Sequence, residues 1–235
     1  MPEFTTLLLD ADGTLLDFER AEREAISALL REFGLPDTEQ CRQQYHQIND
    51  RLWKALERGE VTKDQLKVLR FSRLFETLGL DPAPDAARAA LRYQEYLSRG
   101  SWLLPGVEET LPLLARRCRL LIITNGIAQV QQRRWAGTTV QQYIQGLYIS
   151  DLLGAQKPRK EFFEKVFAAE PGLRPQDCLV VGDSLTSDIR GGKNAGLATC
   201  WIAPASQTAP ADCRPDYRIP SLRELPALLE REAAR

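Results

Sequence analysis

The sequence predicts an α/β fold, in which helices cover both faces of a doubly wound, mostly parallel sheet that carries a helical insertion. Two observations support this prediction. From about residue 105 to the end, short apolar runs rich in branched residues alternate with helical stretches. Between residue 18 and about residue 100 no strand-like run occurs, and four helical stretches follow one another. With 235 residues, the chain is long enough for a large domain with a substantial insertion.

Five segments have the length and the branched apolar composition that are typical of strands. They are residues 5–10, 120–124, 147–150, 179–183 and 199–202. Helices are predicted over residues 106–117, 128–135, 159–169, 187–195 and 221–233. Ser221 and Glu224 have the spacing of a capping box, which predicts that the last helix begins there.

The segment between residues 18 and 100 is predicted to be a helical insertion in this core. Three of its helices are expected to end at Gly34, Gly59 and Gly79, because glycine is the usual residue at left-handed helix ends. Thr62 and Gln65 have the spacing of a helix start, and a proline-rich turn at residues 82–85 separates the third helix from the fourth. We assign residues 1–17 and 101–235 to the core and residues 18–100 to the insertion.

The charge pattern disfavours binding to polymeric nucleic acid and to a membrane surface. The net charge is −1, acids and bases are interspersed, and no block of five like charges occurs. The first apolar run stops at Asp10 and has no basic segment before it, so it is too short for a signal peptide or a membrane span. These observations predict a soluble, cytoplasmic protein.

Cysteine and histidine usage narrows the possible chemistry. The five cysteines are widely spaced and form no Cys-x-x-Cys pair, so we expect buried thiols in a reducing compartment. His46 is the single histidine, which excludes most His-ligated zinc sites. Acid–base chemistry must therefore depend mainly on carboxylates or lysine.

Two carboxylates stand at the end of the first predicted strand, in the segment Asp10-Ala11-Asp12-Gly13-Thr14. Open α/β sheets gather their chemistry at the carboxyl ends of the strands. In an extended strand end, residues i and i+2 point to the same side, so Asp10 and Asp12 can face one substrate together. An ordinary strand-to-loop turn would also account for Asp and Gly here, because both suit turn geometry.

Further polar groups follow the other predicted strands. Thr124-Asn125-Gly126 offers a hydroxyl and backbone N–H groups at a helix entrance, which suit a phosphate oxyanion, although Thr124 could equally be a helix cap. Asp183 follows a strand, and Asp188 lies one helical turn later, which is the pattern of a metal site rather than of a simple turn. Lys157 precedes a proline that holds its backbone extended, whereas a lone lysine is usually a surface charge.

If the sheet brings these strand ends together, the aspartates need a cation among them. Like charges about 4 Å apart repel by roughly 4 kcal/mol at an effective dielectric near 20. Oxygen ligands without nearby cysteine or histidine favour a hard ion, and Mg²⁺ commonly takes one or two carboxylates together with substrate phosphate. Lys157 would supply a second positive charge. A carboxylate nucleophile, an acid for the leaving oxygen and cations on the phosphoryl oxygens are the requirements of phosphoryl transfer.

These segments resemble the four ordered motifs of the haloacid dehalogenase superfamily of phosphatases. The motifs are Asp10-x-Asp12-Gly13-Thr14, Thr124-Asn125-Gly126, Lys157-Pro158 and Gly182-Asp183 with Asp188. The resemblance implies a Rossmann-like core and implies that the helical insertion forms a four-helix-bundle cap. Residues 122–126 and 196–201 look most like the bacterial pyrimidine 5'-nucleotidase branch. Dehalogenases of the superfamily generally lack the second aspartate of the first motif, so Asp12 favours phosphoryl chemistry.

The resemblance also implies a role for each matching residue. Asp10 would be the nucleophile, and Asp12 would protonate the leaving alkoxide and then activate water. Asp10, the backbone carbonyl of Asp12, and Asp183 would bind Mg²⁺, with Asp188 orienting these ligands from behind. The groups that would hold the phosphoryl oxygens are Thr124, Asn125, Gly126 and Lys157, of which Thr124 and Lys157 are also assigned as catalytic.

The predicted function is therefore a Mg²⁺-dependent phosphomonoester hydrolase acting through an aspartyl phosphate on a small substrate, with a pyrimidine nucleoside 5'-monophosphate preferred. Two alternatives stay open at this point. The first is a sugar-phosphate phosphatase or phosphomutase with the same motifs, and the second is a non-catalytic binding module. Side chains of the insertion that could contact a base are Tyr45, His46, Asn49, Trp53, Tyr93, Tyr96 and Trp102, although an aromatic stripe at helical spacing is more often core.

Overall fold

The computed structural model describes residues 4–234. The chain divides into two compact units. One is the helical unit, Phe18–Ser101, and the other, the core unit, joins the chain before this segment to the chain after it. Within residues 4–234, no helix has both the length and the apolar character that are needed to cross a bilayer.

The helical unit contains four helices. They are α1 (Phe18–Glu32), α2 (Glu39–Glu57), α3 (Lys63–Thr77) and α4 (Ala86–Leu97). The predicted glycine ends are confirmed, since Gly34, Gly59 and Gly79 all have a positive φ. The helix start predicted at Thr62 and Gln65 is confirmed, and the two residues form a capping box there, because each side chain accepts a hydrogen bond from the other residue's backbone N–H.

A six-stranded sheet, parallel throughout, forms the centre of the core unit. Its strands are β1 (Thr6–Leu9), β2 (Arg119–Thr124), β3 (Gly146–Ile149), β4 (Cys178–Gly182), β5 (Ala198–Ile202) and β6 (Tyr217–Ile219). Their order in the sheet is β3-β2-β1-β4-β5-β6, so the direction of winding reverses between β1 and β4. The predicted doubly wound, Rossmann-like fold is confirmed, and its topological switch point lies where ligands bind in such sheets.

Helices lie between the strands of the core unit and after the last one. They are α5 (Val107–Ala115), α6 (Ala128–Ala136), α7 (Ser150–Leu153), α8 (Lys160–Ala169), α9 (Arg190–Asn194) and α10 (Leu225–Ala233). Alternate residues of β1 face opposite sides of the sheet, and both sides are apolar. Leu7 and Leu9 pack in a cluster with residues of α5 and α10, whereas Leu8 packs in a separate cluster with residues of α8. Helices therefore cover both faces, as predicted.

The structure differs from the predicted elements at the carboxyl-terminal end. The prediction missed β6, which is a three-residue edge strand and too short to give a clear apolar pattern. The last helix begins at Leu225 rather than at Ser221, and a short 3₁₀ turn (Leu222–Glu224) precedes it. A helix that began at Leu222 would need a backbone N–H from Pro226, which proline lacks.

The helix predicted over residues 187–195 is also divided. A π-helical turn (Leu185–Ile189) precedes the short α9. Gly192 in α9 lies so close to the sheet that an added Cβ would be 2.6 Å from Cγ2 of Thr199.

The five cysteines are free and buried, which confirms the expectation of buried thiols.

Candidate active site

The strand register brings three predicted site segments to one edge of the sheet. Leu9 is opposite Ile122 of β2 on one side and Val181 of β4 on the other. Asp10 therefore lies level with the carboxyl ends of both neighbouring strands, and its backbone N–H donates to the Val181 carbonyl at 2.9 Å. Because β1 lies between β2 and β4, the residues that follow these three strands share the crevice at the switch point.

Gly13 allows the loop after β1 to pass close to Asp183. Gly13 has a φ of +83°, and a Cβ at this position would overlap the Asp183 carboxylate. The next residue, Thr14, is buried, and its hydroxyl donates a 3.0 Å hydrogen bond to Oδ1 of Asp183. Glycine is thus required here for both the backbone conformation and the space, and threonine orients the neighbouring carboxylate.

Three carboxylates converge beside this loop. Single oxygen atoms of Asp10, Asp183 and Asp188 all lie within 4.8 Å of one another. Asp188 is fully buried, and its Oδ2 accepts a 3.1 Å hydrogen bond from the backbone N–H of Ser184. The indole N–H of Trp201 donates to the Asp183 carbonyl at 2.8 Å. These contacts hold both acids of the β4 loop in place, as a preorganised site requires.

Lys157 supplies the positive charge inside this cluster. Its ammonium donates to Oδ1 of Asp10 and to Oδ1 of Asp188, both at 2.6 Å, and to the Ile123 carbonyl at 2.8 Å. The Lys157 side chain is 1% exposed, so these three acceptors replace its hydration shell. The expectation of a fixed lysine at this position, rather than a surface charge, agrees with this geometry.

Asn125 contacts the backbone of Lys157. Its side-chain amide donates to the Lys157 carbonyl at 2.8 Å, and its side-chain oxygen accepts from the Lys157 backbone N–H at 2.9 Å. The loop after β2 and the lysine loop are therefore held together by a reciprocal pair of hydrogen bonds. The Asn125 side chain thus positions Lys157, which sequence reasoning did not predict.

The electrostatics of the cluster show an excess of negative charge. Burial and the neighbouring Asp188 raise the pKa of Asp10 well above its usual value. Burial, together with Asp188, also raises the pKa of Asp183 to about 7. Burial alone would lower the pKa of Lys157, but Asp10 and Asp188 outweigh this effect and raise it. One ammonium therefore does not balance the three carboxylates.

This donor set fits a divalent cation with a preference for oxygen. Its members are carboxylates, two of which resist ionisation without a further positive charge nearby. Mg²⁺ and similar hard ions bind oxygen ligands and favour the ionised form of carboxylates around them. The cluster contains Asp188 and not the side chain of Asp12, but the resemblance assigns only the backbone carbonyl of Asp12 to the metal.

Asp12 and Thr124 are connected through α6. Both carboxylate oxygens of Asp12 accept hydrogen bonds from side chains of this helix, Oδ1 from Arg134 and Oδ2 from Gln131. The Gln131 amide also donates to Oγ1 of Thr124 at 3.2 Å, and Thr124 accepts a further bond from the Gly126 backbone N–H at 3.0 Å. Thr124 is 1% exposed. The structure thus links Asp12 to the segment Thr124–Gly126, whereas Asp10 is linked to Lys157.

Sequence reasoning missed Gln131 and Arg134. They lie three residues apart on α6, in the stretch that follows Thr124-Asn125-Gly126. Both are buried although one is an amide and the other a cation, while the neighbouring Gln132 and Arg133 are exposed. A polar pair at helical spacing directly after a candidate site loop was the only pattern that could have indicated them.

The candidate base-contacting residues of the helical unit have different environments. Tyr45 and Tyr93 are fully buried and pack against each other and Phe71, so they belong to the interior of this unit. Asn49 is also buried, and its amide donates to Glu22 at 2.7 Å. His46 is exposed, and its Nδ1 lies 2.5 Å from the Glu22 carboxylate.

The other three candidates are partly exposed. Trp53 lies beneath the ammonium of Lys63, which is 6.0 Å from its ring centroid. The Tyr96 hydroxyl donates to Glu32 at 2.7 Å. Trp102 belongs to the core unit, where its carbonyl accepts from the Asp17 backbone N–H at 2.9 Å.

Comparison with protein families and curated proteins gives extensive matches. A profile of the haloacid dehalogenase-like hydrolase family matches residues 4–196. The HAD-hydrolase YfnB of Bacillus subtilis is 36% identical over 99% of this chain and 98% of its own length. The pyrimidine 5'-nucleotidase PynA of Streptococcus pneumoniae is 38% identical over 93% of this chain and 92% of its own. The pyrimidine 5'-nucleotidase YjjG of Escherichia coli is 32% identical over 95% and 96%, respectively.

Comparison with solved structures agrees with these matches. The crystal structure of YfnB bound to magnesium superposes on this chain with a TM-score of 0.91. The superposition covers 97% of this chain and 99% of YfnB, at 36% identity. The fold is thus shared with a protein whose crystal structure contains magnesium.

Proposed function

This chain belongs to the haloacid dehalogenase-like hydrolase family, and from that premise we propose that it is a Mg²⁺-dependent pyrimidine nucleoside 5'-monophosphate phosphatase. The membership confirms the resemblance found in the four motifs, and the chain is an enzyme of the phosphatase type. The observation that carries the proposal is the convergence of Asp10, Asp183 and Asp188 at the switch point of the sheet, where Lys157 is paired with Asp10 and Asp188.

The preference for pyrimidine nucleotides is supported by the relatives. Two curated pyrimidine 5'-nucleotidases match this chain over more than nine-tenths of its length. We propose a small phosphorylated substrate and no polymeric nucleic acid, since the net charge is −1 and acids and bases are interspersed along the sequence. The five free, buried thiols support a cytoplasmic location.

In the first half-reaction, we assign Asp10 as the nucleophile. A carboxylate oxygen of Asp10 forms a bond to phosphorus while the bond between phosphorus and the ester oxygen breaks. Lys157 binds Oδ1 of Asp10, which holds the carboxylate in one orientation. Asp12 gives its proton to the departing alkoxide, so a nucleoside leaves and Asp10 carries the phosphoryl group.

In the second half-reaction, water displaces Asp10 from phosphorus. Asp12 accepts a proton from the attacking water, the bond between Asp10 and phosphorus breaks, and inorganic phosphate is released. The Thr124 hydroxyl and the backbone N–H groups of the loop that it begins hold the phosphoryl oxygens. Lys157 stabilises the negative charge that develops on these oxygens in both transition states.

Mg²⁺ would be held by Asp10, the backbone carbonyl of Asp12, and Asp183, with Asp188 orienting these ligands. Its chemistry there is to neutralise charge on the phosphoryl oxygens. The raised pKa values of Asp10 and Asp183 support this assignment, because they show a site with too little positive charge of its own. We further propose that the helical insertion, residues 18–100, acts as a cap that excludes water during the reaction.

The test is a panel of pyrimidine and purine nucleoside monophosphates and sugar phosphates, assayed for released phosphate with and without Mg²⁺. We expect the highest kcat/KM for pyrimidine nucleoside 5'-monophosphates and no turnover after Asp10→Asn. In H₂¹⁸O, one labelled oxygen should enter each phosphate released, which a phosphomutase would not show. A well-folded protein that hydrolyses none of these esters would overturn the proposal in favour of a binding module.

A further inference from the structure

Helix α6 directs two buried polar side chains at Asp12. Gln131 is 2% exposed and Arg134 is fully buried, although α6 follows directly after a loop at the edge of the sheet. The next residues along the helix, Gln132 and Arg133, have the same side-chain types and are exposed. Because amide and guanidinium groups are rarely buried without a specific partner, the burial of these two side chains indicates that each has one.

Their shared partner is the carboxylate of Asp12. Arg134 donates to Oδ1 and Gln131 donates to Oδ2, so each carboxylate oxygen is bound by a different residue of α6. Asp12 is more than a hundred residues away in sequence, and its side chain is 24% exposed. Only the Asp12 end of this arrangement is open to solvent, since the Arg134 side chain is 1% exposed.

Gln131 joins Asp12 to the loop after β2. The same Nε2 that binds Asp12 also lies 3.2 Å from Oγ1 of Thr124. The side chain passes so close to Gly126 that a Cβ on this glycine would overlap the Gln131 amide. The requirement for glycine at position 126 is thus linked to the path of Gln131, and the amide sets the separation between Asp12 and Thr124.

We propose that Gln131 and Arg134 are positioning residues that hold the Asp12 carboxyl group at the leaving oxygen of the substrate. This inference rests on the proposed function, in which Asp12 is the acid and base and Thr124 holds the phosphoryl group. Each carboxyl oxygen has two acceptor sites, so Asp12 can keep both contacts and still exchange a proton with the leaving oxygen or with water. Thr124 and Asp12 are then held by one amide at a fixed separation, as a near-attack geometry requires.

A positioning role and a purely structural role of Gln131 and Arg134 differ in how the variants' kcat/KM depends on the basicity of the leaving group. An alkoxide leaves slowly unless it is protonated, whereas nitrophenolate is a much weaker base and leaves without an acid. The value of kcat/KM reports the step in which the alcohol departs. Loss of Asp12 positioning should therefore lower kcat/KM for a nucleoside monophosphate far more than for p-nitrophenyl phosphate.

The experiment compares Gln131→Met and Arg134→Met with the matched surface variants Gln132→Met and Arg133→Met. With uridine 5'-monophosphate, we expect the buried variants to lose about 10- to 100-fold in kcat/KM, which is part of the 10²–10⁴ that a general acid contributes. With p-nitrophenyl phosphate, the loss should stay below about threefold. Both surface variants should match the wild type on both substrates. In an Asp12→Asn background, neither buried substitution should lower kcat/KM further.

Thermal unfolding of each variant checks that it folds. Arg134→Lys, which keeps a positive charge, should recover part of the kcat/KM that is lost with uridine 5'-monophosphate. If Arg134→Met does not fold, Gln131→Met still tests the proposal, because it leaves the Arg134–Asp12 pair intact. Equal losses on both substrates, or a further loss in the Asp12→Asn background, would overturn it. If the wild-type protein hydrolyses neither ester, the proposed function fails first, so the two failures are distinguishable.

Discussion

Proton release on Mg²⁺ binding provides a direct test of the acidic cluster. The pKa of Asp183 is raised to about 7 by burial and by Asp188, so this carboxyl group is partly protonated near neutral pH in the metal-free protein. A metal ligand must be deprotonated to bind. Mg²⁺ must therefore displace a proton from the cluster, and it should bind more weakly as the pH falls.

The size of the effect follows from the pKa of Asp183. A group with a pKa of about 7 is ionised in about one molecule of eleven at pH 6 and in about ten of eleven at pH 8. The apparent Kd for Mg²⁺ should therefore be about tenfold higher at pH 6 than at pH 8. The pKa of Asp10 is raised as well, which changes the affinity in the same direction.

The raised pKa of Asp183 also makes the stability of the metal-free protein depend on pH. A folded-state pKa raised above the value of an unfolded aspartate means that the folded, metal-free protein binds more protons than the unfolded chain. Its free energy of unfolding should therefore fall as the pH rises towards and through about 7. Since Mg²⁺ replaces these protons, it should raise the Tm more at pH 8 than at pH 6.

Isothermal titration calorimetry in two buffers with different heats of ionisation measures both the affinity and the protons released. We expect about one proton or more per ion near pH 6, and fewer near pH 8. Asp212→Asn is the matched control, because this exposed aspartate is paired with Arg190 outside the cluster. Equal affinity at both pH values, with no proton release, would refute the argument. Asp183→Asn should remove the part of the pH dependence that comes from this group and leave the smaller part that comes from Asp10.

Three further substitutions test individual contacts. Lys157→Met removes the cation from two buried carboxylates. Steady-state kinetics should show a kcat at least about 100-fold lower. Urea denaturation near pH 8 should show a loss of about 3–5 kcal/mol in the free energy of unfolding. Gly182→Ala places a Cβ against the Asp188 carboxylate, which should cost about 1–3 kcal/mol by the same assay and weaken Mg²⁺ binding in calorimetry. Asn49→Leu removes a donor to Glu22 and the acceptor of Arg70 inside the helical unit, so thermal and urea unfolding should show a loss of about 2–4 kcal/mol.

Each of these substitutions has a control or a contradicting outcome. Lys160→Met and Gln47→Leu change exposed side chains near the first and third sites and should leave activity and stability within about 0.5 kcal/mol of the wild type. A Lys157→Met protein with normal kcat would remove this lysine from the proposed chemistry. Unchanged Mg²⁺ affinity after Gly182→Ala would show that the position of Asp188 does not affect the ion, and wild-type stability of Asn49→Leu would show that its polar contacts are dispensable.

Most of the fold was predictable because local patterns and long-range packing agree along this chain. The apolar runs of β1, β2 and β4 have no polar interruption, and each is followed directly by polar site residues. In contrast, β6 has three residues, of which only Ile219 is buried, so no periodic pattern could indicate it. The start of α10 depends on a proline in its first turn, which the capping-box spacing alone did not reveal.

The sequence by itself determined the fold class, the order of the motifs and the set of residue types available for chemistry. These depend on near neighbours in the chain: strand periodicity, helix ends, and acids or hydroxyls placed directly after apolar runs. The motifs placed Asp10, Lys157 and Asp183 in the candidate site without any coordinates, because each carries its own local pattern.

Tertiary structure alone decided how these groups contact one another. The strand order placed β1 between β2 and β4, and this brought the ammonium of Lys157 to Asp10 and Asp188. The same packing turned Gln131 and Arg134 of α6 towards Asp12, although both resemble surface residues in the sequence. Burial of a polar side chain depends on elements far away in the chain, so the spacing of this pair by itself could not establish it. Burial of Asp183 in the folded protein, together with its closeness to Asp188, raises its pKa, and neither can be derived from near neighbours in the chain.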